Sequence, residues 1–101
     1  DGSDGVNVEL LATGDNASNI RSILITNTTS SGSASVSLYI QNQPSSAAAK
    51  TYYLIKDIVI PRYSSLLLDD TNMLSFDNSS SGYGLYAAVG ASHTVDILIT
   101  R

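Results

Sequence analysis

The chain has 101 residues, enough for one small domain, and only 14% of them are charged, against roughly 25% in an average globular protein. The net charge is −4 and the five basic residues are scattered, which argues against nucleic-acid backbones and anionic membranes as partners. Cysteine is absent, which excludes disulfide bonds and cysteine-ligated metals, and we expect no cofactor.

The first half of the chain predicts short strands separated by turns. Residues 1–5 precede the first of them and are expected to form a flexible leader. Residues 6–11 alternate in polarity, and residues 20–27 are rich in β-branched side chains. Residues 35–40 alternate with a period of two, as a strand with one buried face does.

The second half continues the pattern after a polar loop. Strands are predicted at 51–55 and 58–60, and Lys56 and Asp57 lie either within one long strand or at a bend. Pro61 has no N–H for a sheet ladder, so it ends this segment. Further strands are predicted at 65–69, 73–76, 83–89 and 94–100.

About eight short strands at regular spacing predict an all-β fold. We expect a single-domain antiparallel β-sandwich over residues 6–101, jelly-roll-like in its architecture. An immunoglobulin-like sandwich of seven or eight strands is the alternative. The Cys and Trp residues that mark true immunoglobulin domains are missing.

Residue types that could support catalysis or metal binding are few. His93 is the only histidine and Glu9 the only glutamate, and neither lies in a recognisable catalytic motif. Asp69, Asp70 and Asp77 could gather around a hard cation, but aspartate is also a common turn residue. We therefore predict no catalytic residue and no metal ligand, and interpret the chain as non-enzymatic.

Three N-x-S/T sequons occur in this serine- and threonine-rich sequence. Their asparagines are Asn16, Asn27 and Asn78, all in predicted turns. In a chain with 17 Ser and 8 Thr we interpret these matches as coincidence.

The six tyrosines are the most informative polar residues. A tyrosine has an apolar body and a polar tip, which suits core edges and subunit contacts, while ligand stacking is the alternative role. In residues 58–60 and 66–68 every side chain is apolar, so both sides of each strand are apolar. A sandwich needs apolar side chains only on the side of the strand that faces its core. We therefore expect some of these side chains to meet a partner. The candidate interface residues are Tyr53, Tyr63, Leu67, Tyr83 and Tyr86.

Four segments together resemble small all-β virion proteins of tailed bacteriophages, notably those of marine phages. The segments are IRSILITNTTSSGSASVSLYI, YYLIKDIVIPRYSSLLLDD, GYGLYAAV and VDILITR. In that family a strand ending in Ile-Pro is followed by a short turn of small residues and a second apolar strand. Ile60-Pro61 and residues 64–68 match this pattern, whereas Arg62-Tyr63 departs from the small turn residues.

The resemblance implies a structural protein associated with the capsid, neck or tail, located in the virion. It also implies a homo-oligomer, with a trimer slightly favoured, that contacts other virion proteins. A carbohydrate-binding or adhesive β-sandwich module is the alternative, because such a domain could share each of these features.

Overall fold

Seven β-strands form from the alternating and β-branched segments of the sequence. The computed structural model describes residues 7–15, 20–30, 32–42, 50–71, 74–90 and 93–101. The strands are β1 (Asn7–Leu11), β2 (Ser22–Asn27), β3 (Ala34–Asn42), β4 (Lys50–Ile60), β5 (Ser65–Leu68), β6 (Gly84–Val89) and β7 (Val95–Thr100).

The strands assemble into two antiparallel sheets. One has four strands in the order β1-β6-β3-β4, and the other has three in the order β5-β2-β7. The prediction of an all-β antiparallel sandwich is confirmed, and the order differs from the immunoglobulin one, in which the first strand lies beside the second. Jelly-roll connectivity stays a prediction.

The core lies between the sheets and follows the parity of the strands. Ile23 and Ile25 of β2 are fully buried, and they face Val36 and Leu38 of β3 and Leu85 of β6. These side chains come from central strands of both sheets, and they follow the two-residue alternation of strands. Among the described residues there is no helix long and apolar enough to span a bilayer.

The segment from Lys50 to Ile60 is one strand and not two. Two irregularities in its pairing with β3 absorb the extra residues, which makes Lys56 and Asp57 part of a bulge. Asp57 has a φ of 51°, and its N–H donates to the Ser37 Oγ at 2.8 Å. The bulge therefore bends the edge strand of the four-stranded sheet.

The prediction of a strand at residues 73–76 is wrong for residues 74–76, the part of this segment that the structure describes. Leu74, Ser75 and Phe76 form no strand, and the Leu74 N–H donates to the Asp70 carbonyl at 3.1 Å in a turn. Leu74 is buried and Phe76 packs against the core, so their apolar character reflects burial without sheet pairing. The leader predicted at residues 1–5 lies outside the described residues.

Candidate functional site on the outer faces of the sheets

The outer face of the three-stranded sheet carries a row of leucines. Leu24 of β2 lies directly opposite Leu67 of β5 on one side and Leu98 of β7 on the other. Leu67 is 54% exposed and Leu98 61% exposed, and Leu24 between them is half-buried. Three adjacent leucines thus form one apolar surface on the side of the sheet that faces away from the core. We call Leu24, Leu67 and Leu98 the leucine row.

Each leucine is held outward by buried neighbours in its own strand. Ile23 and Ile25 flank Leu24 and are fully buried, so Leu24 must point to the opposite face. Leu66 and Leu68 flank Leu67 and pack against the core. Leu66 and Leu68 therefore point toward the core, and Leu67 points away from it.

Polar rows border the leucine row on both sides. At one end Thr26 pairs with Ser65 of β5, and their hydroxyl oxygens lie 2.9 Å apart. Asp96 of β7 lies opposite Thr26 on its other side. At the other end Ser22 pairs with Thr100. An apolar centre with a polar rim is the usual anatomy of a protein contact surface.

Charged residues stand at the four corners of the three-stranded sheet. At the Thr26 end, Arg62 lies in the turn before β5 and Asp96 lies in β7. At the Ser22 end, Asp69 follows β5 directly and Arg101 follows β7 directly. The four residues are exposed. By position along the chain, their signs alternate around the sheet: positive at Arg62, negative at Asp96, positive at Arg101 and negative at Asp69.

The outer face of the four-stranded sheet carries tyrosines in place of leucines. Tyr39 of β3 lies opposite Tyr53 of β4 and Tyr86 of β6, and Tyr86 lies opposite Glu9 of β1. The Tyr39 and Tyr86 rings are stacked, with centroids 5.4 Å apart, and the Tyr39 and Tyr53 rings are tilted, with centroids 5.5 Å apart. We call Tyr39, Tyr53 and Tyr86 the tyrosine row.

The ends of the tyrosine row are occupied by opposite charges. The Tyr86 hydroxyl donates to the Glu9 Oε2 at 3.2 Å, and the Lys56 ammonium lies 5.0 Å from the centroid of the Tyr53 ring. Tyr39 and Tyr86 are buried because neighbouring rings cover them, whereas Tyr53 is 49% exposed. Only the Tyr53 end of the row is therefore open to a partner.

Two tyrosine hydroxyls in this row, those of Tyr39 and Tyr86, are harder to ionise than that of free tyrosine. Burial raises the pKa of Tyr39, and the neighbouring Tyr53 hydroxyl adds to that effect. Burial also raises the pKa of Tyr86, helped by its hydrogen bond to Glu9, the charge of Glu9 and the nearby Tyr39. Both groups are thus held in the neutral form well into alkaline conditions.

The turn between β4 and β5 presents an aromatic ring to solvent. The Ser64 N–H donates to the Pro61 carbonyl at 3.1 Å, which closes a β-turn. Tyr63 within it has a φ of 65° and is 84% exposed. The Arg62 guanidinium lies 4.4 Å from the centroid of its ring. Arg62 and Tyr63, which stand where the resemblance leads us to expect small turn residues, therefore form a stacked pair at the tip of this turn.

The predicted interface residues do not form one surface. Tyr53 and Tyr86 meet through Tyr39 on the four-stranded sheet, where Tyr86 is buried. Leu67 lies on the outer face of the other sheet, with Tyr63 in the turn just before its strand. Tyr83 precedes β6 and packs edge-on against Tyr52, with ring centroids 5.9 Å apart.

Two partners in the leucine row were absent from the sequence prediction. Leu24 and Leu98 each lie between two isoleucines, in Ile23-Leu24-Ile25 and Ile97-Leu98-Ile99. These runs have the same two-parity signature as residues 66–68, so the signal was present in the sequence. Strand register, which decides that the three leucines are neighbours, could not be read from it.

His93 supports a loop in the described part of the chain. Its Nδ1 accepts a hydrogen bond from the Ser35 N–H at 3.1 Å, while the Gly90 N–H donates to the Ser35 carbonyl at 2.9 Å. A Cβ on Gly90 would approach the imidazole Nδ1 to 2.6 Å, so glycine is needed beneath the ring. These contacts join the end of β6 to the start of β3.

Two sequon asparagines act as internal braces. The Asn27 Nδ2 donates to the carbonyls of Gly32 and Ile60, at 3.1 and 3.0 Å. The Asn78 Nδ2 donates to the carbonyls of Ala12 and Tyr83, at 2.9 and 2.7 Å. Both side chains are buried, so their amide nitrogens are engaged inside the protein. Asn16 lies outside the described residues.

The predicted carboxylate candidates are each placed by local structure. The Asp77 Oδ1 accepts from the Ser79 N–H at 2.9 Å, and hydrogen bonding by Ser79 lowers the pKa of this carboxyl. Asp69 and Asp70 are exposed after β5. Within the described ranges no group of three His, Cys, Asp or Glu side chains is placed to hold a metal ion.

Comparisons with known proteins add no relative to this picture. No protein-family model, curated protein or solved structure matches the chain.

Proposed function

We propose that this chain is a non-enzymatic structural protein that associates with copies of itself, as an accessory component of a phage capsid, neck or tail. The leucine row is the observation that carries the proposal. It places two leucines that are more than half exposed on either side of a third, on a sheet face that the core does not need. An apolar strip of this kind is typical of a contact surface.

The composition supports the same function. A surface with few charges and many hydroxyls repels like copies weakly, and the chain carries only 14% charged residues. The resemblance to all-β virion proteins gives the setting, with other virion proteins as further partners and the virion as the location.

Solution mass is the direct test of self-association. Light scattering or sedimentation equilibrium on the wild-type chain should show an oligomer that forms as protein concentration rises. A mass that stays at 10.6 kDa at every concentration would remove the proposal.

Substitutions in β5 separate folding from association. Leu68→Asp should unfold the protein, because Leu68 packs against the core and an unpaired carboxylate would be buried there. Leu67→Asp should fold and remain soluble, because Leu67 faces outward. Its solution mass should fall toward that of the monomer.

A carbohydrate-binding or adhesive module is the second candidate. Three tyrosine rings are available for stacking on sugars, since Tyr52, Tyr53 and Tyr63 are about half exposed or more. Binding on a glycan array that is lost in Tyr53→Ala or Tyr63→Ala would favour this function. An array without signal would count against it and leave self-association untouched.

A further inference from the structure

We infer that the outer face of the three-stranded sheet is a two-fold contact between two copies of this chain, with leucine row packed on leucine row. This inference rests on the proposed self-association and names the partner and the geometry. Two features of the face carry it: the self-matching apolar strip and the alternating corner charges. The size of the sheet sets the expected strength of the contact.

The apolar strip suits an identical partner. The leucine row crosses the three strands with the half-buried Leu24 at its centre. The two outer leucines, Leu67 and Leu98, are similarly exposed, so the row is symmetric about Leu24. A two-fold axis in the plane of contact that passes over Leu24 therefore places leucine on leucine. In such a contact the same patch serves both subunits.

The corner charges identify a second copy as the occupant. Arg62 and Asp96 mark one end of the face, and Asp69 and Arg101 mark the other. Because the signs alternate around the rectangle, a two-fold axis along the strands places Arg62 over Asp96 of the other copy and Asp69 over its Arg101. An axis across the strands places Arg62 over Asp69 and Asp96 over Arg101. Both of these two-fold axes thus bring opposite charges together.

Arg21 strengthens the positive corner. Its Nη2 donates to the carbonyl of Arg101 at 3.2 Å, so two guanidinium groups lie at this end of β2 and β7. With a two-fold axis along the strands, this corner lies over Asp69 of the other copy. With an axis across the strands, it lies over Asp96 of the other copy. The charge pattern is therefore complementary to itself, and a uniformly charged partner would meet repulsion at two corners.

The size of the sheet limits the strength of the contact. Three strands spaced about 4.8 Å apart and about 20 Å long give a footprint of roughly 300 Å² on each copy. A standard interface buries about 800 Å² on each partner. The sheet face alone therefore forms a weak dimer. A two-fold contact gives even-numbered assemblies, which favours a dimer over the trimer expected from the sequence.

Sedimentation equilibrium on full-length variants tests the leucine contact. Leu98→Asp should weaken self-association by about 100-fold or more, because each contact would bury two carboxylates. The matched control is Val59→Asp, since Val59 is also 61% exposed but lies on β4 of the other sheet. It should associate like the wild type. Far-UV circular dichroism verifies that both variants fold.

The outcomes distinguish this inference from the proposed function. If wild type associates and Leu98→Asp associates equally well, the inference is wrong while self-association stands. Dissociation by Val59→Asp alone would also overturn it, in favour of the four-stranded sheet. A wild type that stays monomeric removes both.

Charge reversal tests the two-fold arrangement by comparing two double variants that both keep the wild-type net charge. Arg62→Asp should weaken association several-fold. Adding Asp96→Arg restores it if the axis runs along the strands, and adding Asp69→Arg restores it if the axis runs across them. In each case the other double variant, which has the same net charge as the restored one, should associate more weakly than Arg62→Asp alone. Equal behaviour of the two double variants would overturn the paired-corner geometry.

Discussion

Tyr63 occupies a backbone conformation that suits glycine better than tyrosine. Its φ is 65°, and its side chain is almost fully exposed, so burial does not compensate for the strain. A left-handed conformation costs a non-glycine residue about 1–2 kcal/mol. We propose that this exposed ring, on which the Arg62 guanidinium stacks, contacts a partner outside the domain.

Replacing Tyr63 by glycine should stabilise the folded chain. The relief of strain outweighs the greater flexibility of glycine in the unfolded state, and we expect a gain of about 0.5–1 kcal/mol in urea unfolding. The matched control is Asp57→Gly, at the other non-glycine residue with positive φ in the described chain. Aspartate tolerates the left-handed region better than tyrosine, so little strain is relieved there. The Asp57 carboxylate also accepts from the Ser37 Oγ at 3.4 Å, so this control should lose stability. A loss in both variants would contradict the strain at Tyr63.

Asn27 shows how a single side chain connects three segments. Its Nδ2 serves the carbonyls of Gly32 and Ile60, and its Oδ1 accepts from the Thr29 N–H at 2.8 Å. Asn27→Ala should cost about 2–4 kcal/mol, because buried carbonyls lose their donors. The control is Asn42→Ala, which removes an exposed acceptor for the Lys50 N–H and should cost no more than about 1 kcal/mol. Chemical denaturation measures both, and equal losses would refute the brace.

At the scale of elements, the tyrosine row couples three adjacent strands and makes stability depend on alkaline pH. The folded-state pKa values of Tyr39 and Tyr86 are raised above the unfolded value of about 10. Their contribution is therefore complete below that unfolded value and is lost as pH rises through the folded values. We expect the free energy of unfolding to fall above about pH 10.

Replacing the two buried hydroxyls isolates this effect. The double variant Tyr39→Phe, Tyr86→Phe keeps the ring contacts and removes both titrating groups, so its urea midpoint should decline less over the same alkaline range. Tyr63→Phe is the control, because it removes a tyrosine hydroxyl that lies outside the row and is 84% exposed, and it should decline like the wild type. An equal decline in the double variant would show that the alkaline loss arises elsewhere.

The sequence predicts an element well when neighbouring residues determine its conformation, and poorly when contacts with a distant segment determine it. The alternation in residues 35–40 and 95–100 yields the strands β3 and β7, because parity alone fixes their faces. The bulge at Asp57 escapes prediction, since it depends on the Ser37 hydroxyl across the strand pair. The strand prediction fails at Leu74 because a buried turn residue is as apolar as a buried strand residue.

The candidate contact surface was predictable to the same extent. Apolar residues of both parities identify Leu67 as outward, and the same rule applied to Leu24 and Leu98 would have marked all three. Their alignment into one row depends on the register of β5, β2 and β7, which sequence periodicity leaves open. The tyrosine row is hidden for the same reason.

At the scale of the whole molecule, most strand pairs join distant parts of the chain. Among the strands that the structure describes, only β3 and β4 are consecutive and paired, whereas Asn7 lies opposite Ala88 and Ser22 opposite Thr100. The three central strands, β2, β3 and β6, complete their pairing only when the last third of the chain arrives. The leucine row likewise exists only after β5 and β7 have both joined β2, so the proposed contact follows folding and does not precede it.

This topology predicts slow folding that is independent of association. Sheets built from non-local pairs fold in about milliseconds to seconds, because loop closure must precede the stabilising contacts. Stopped-flow circular dichroism at several protein concentrations should give a refolding rate in that range with no dependence on concentration. Leu98→Asp should refold at the wild-type rate, since its side chain lies outside the core, while Ile99→Ala should alter the kinetics through the buried side of the same strand. Refolding in microseconds would contradict the observed pairing, and a rate that rises with concentration would place the contact between copies within the folding step itself.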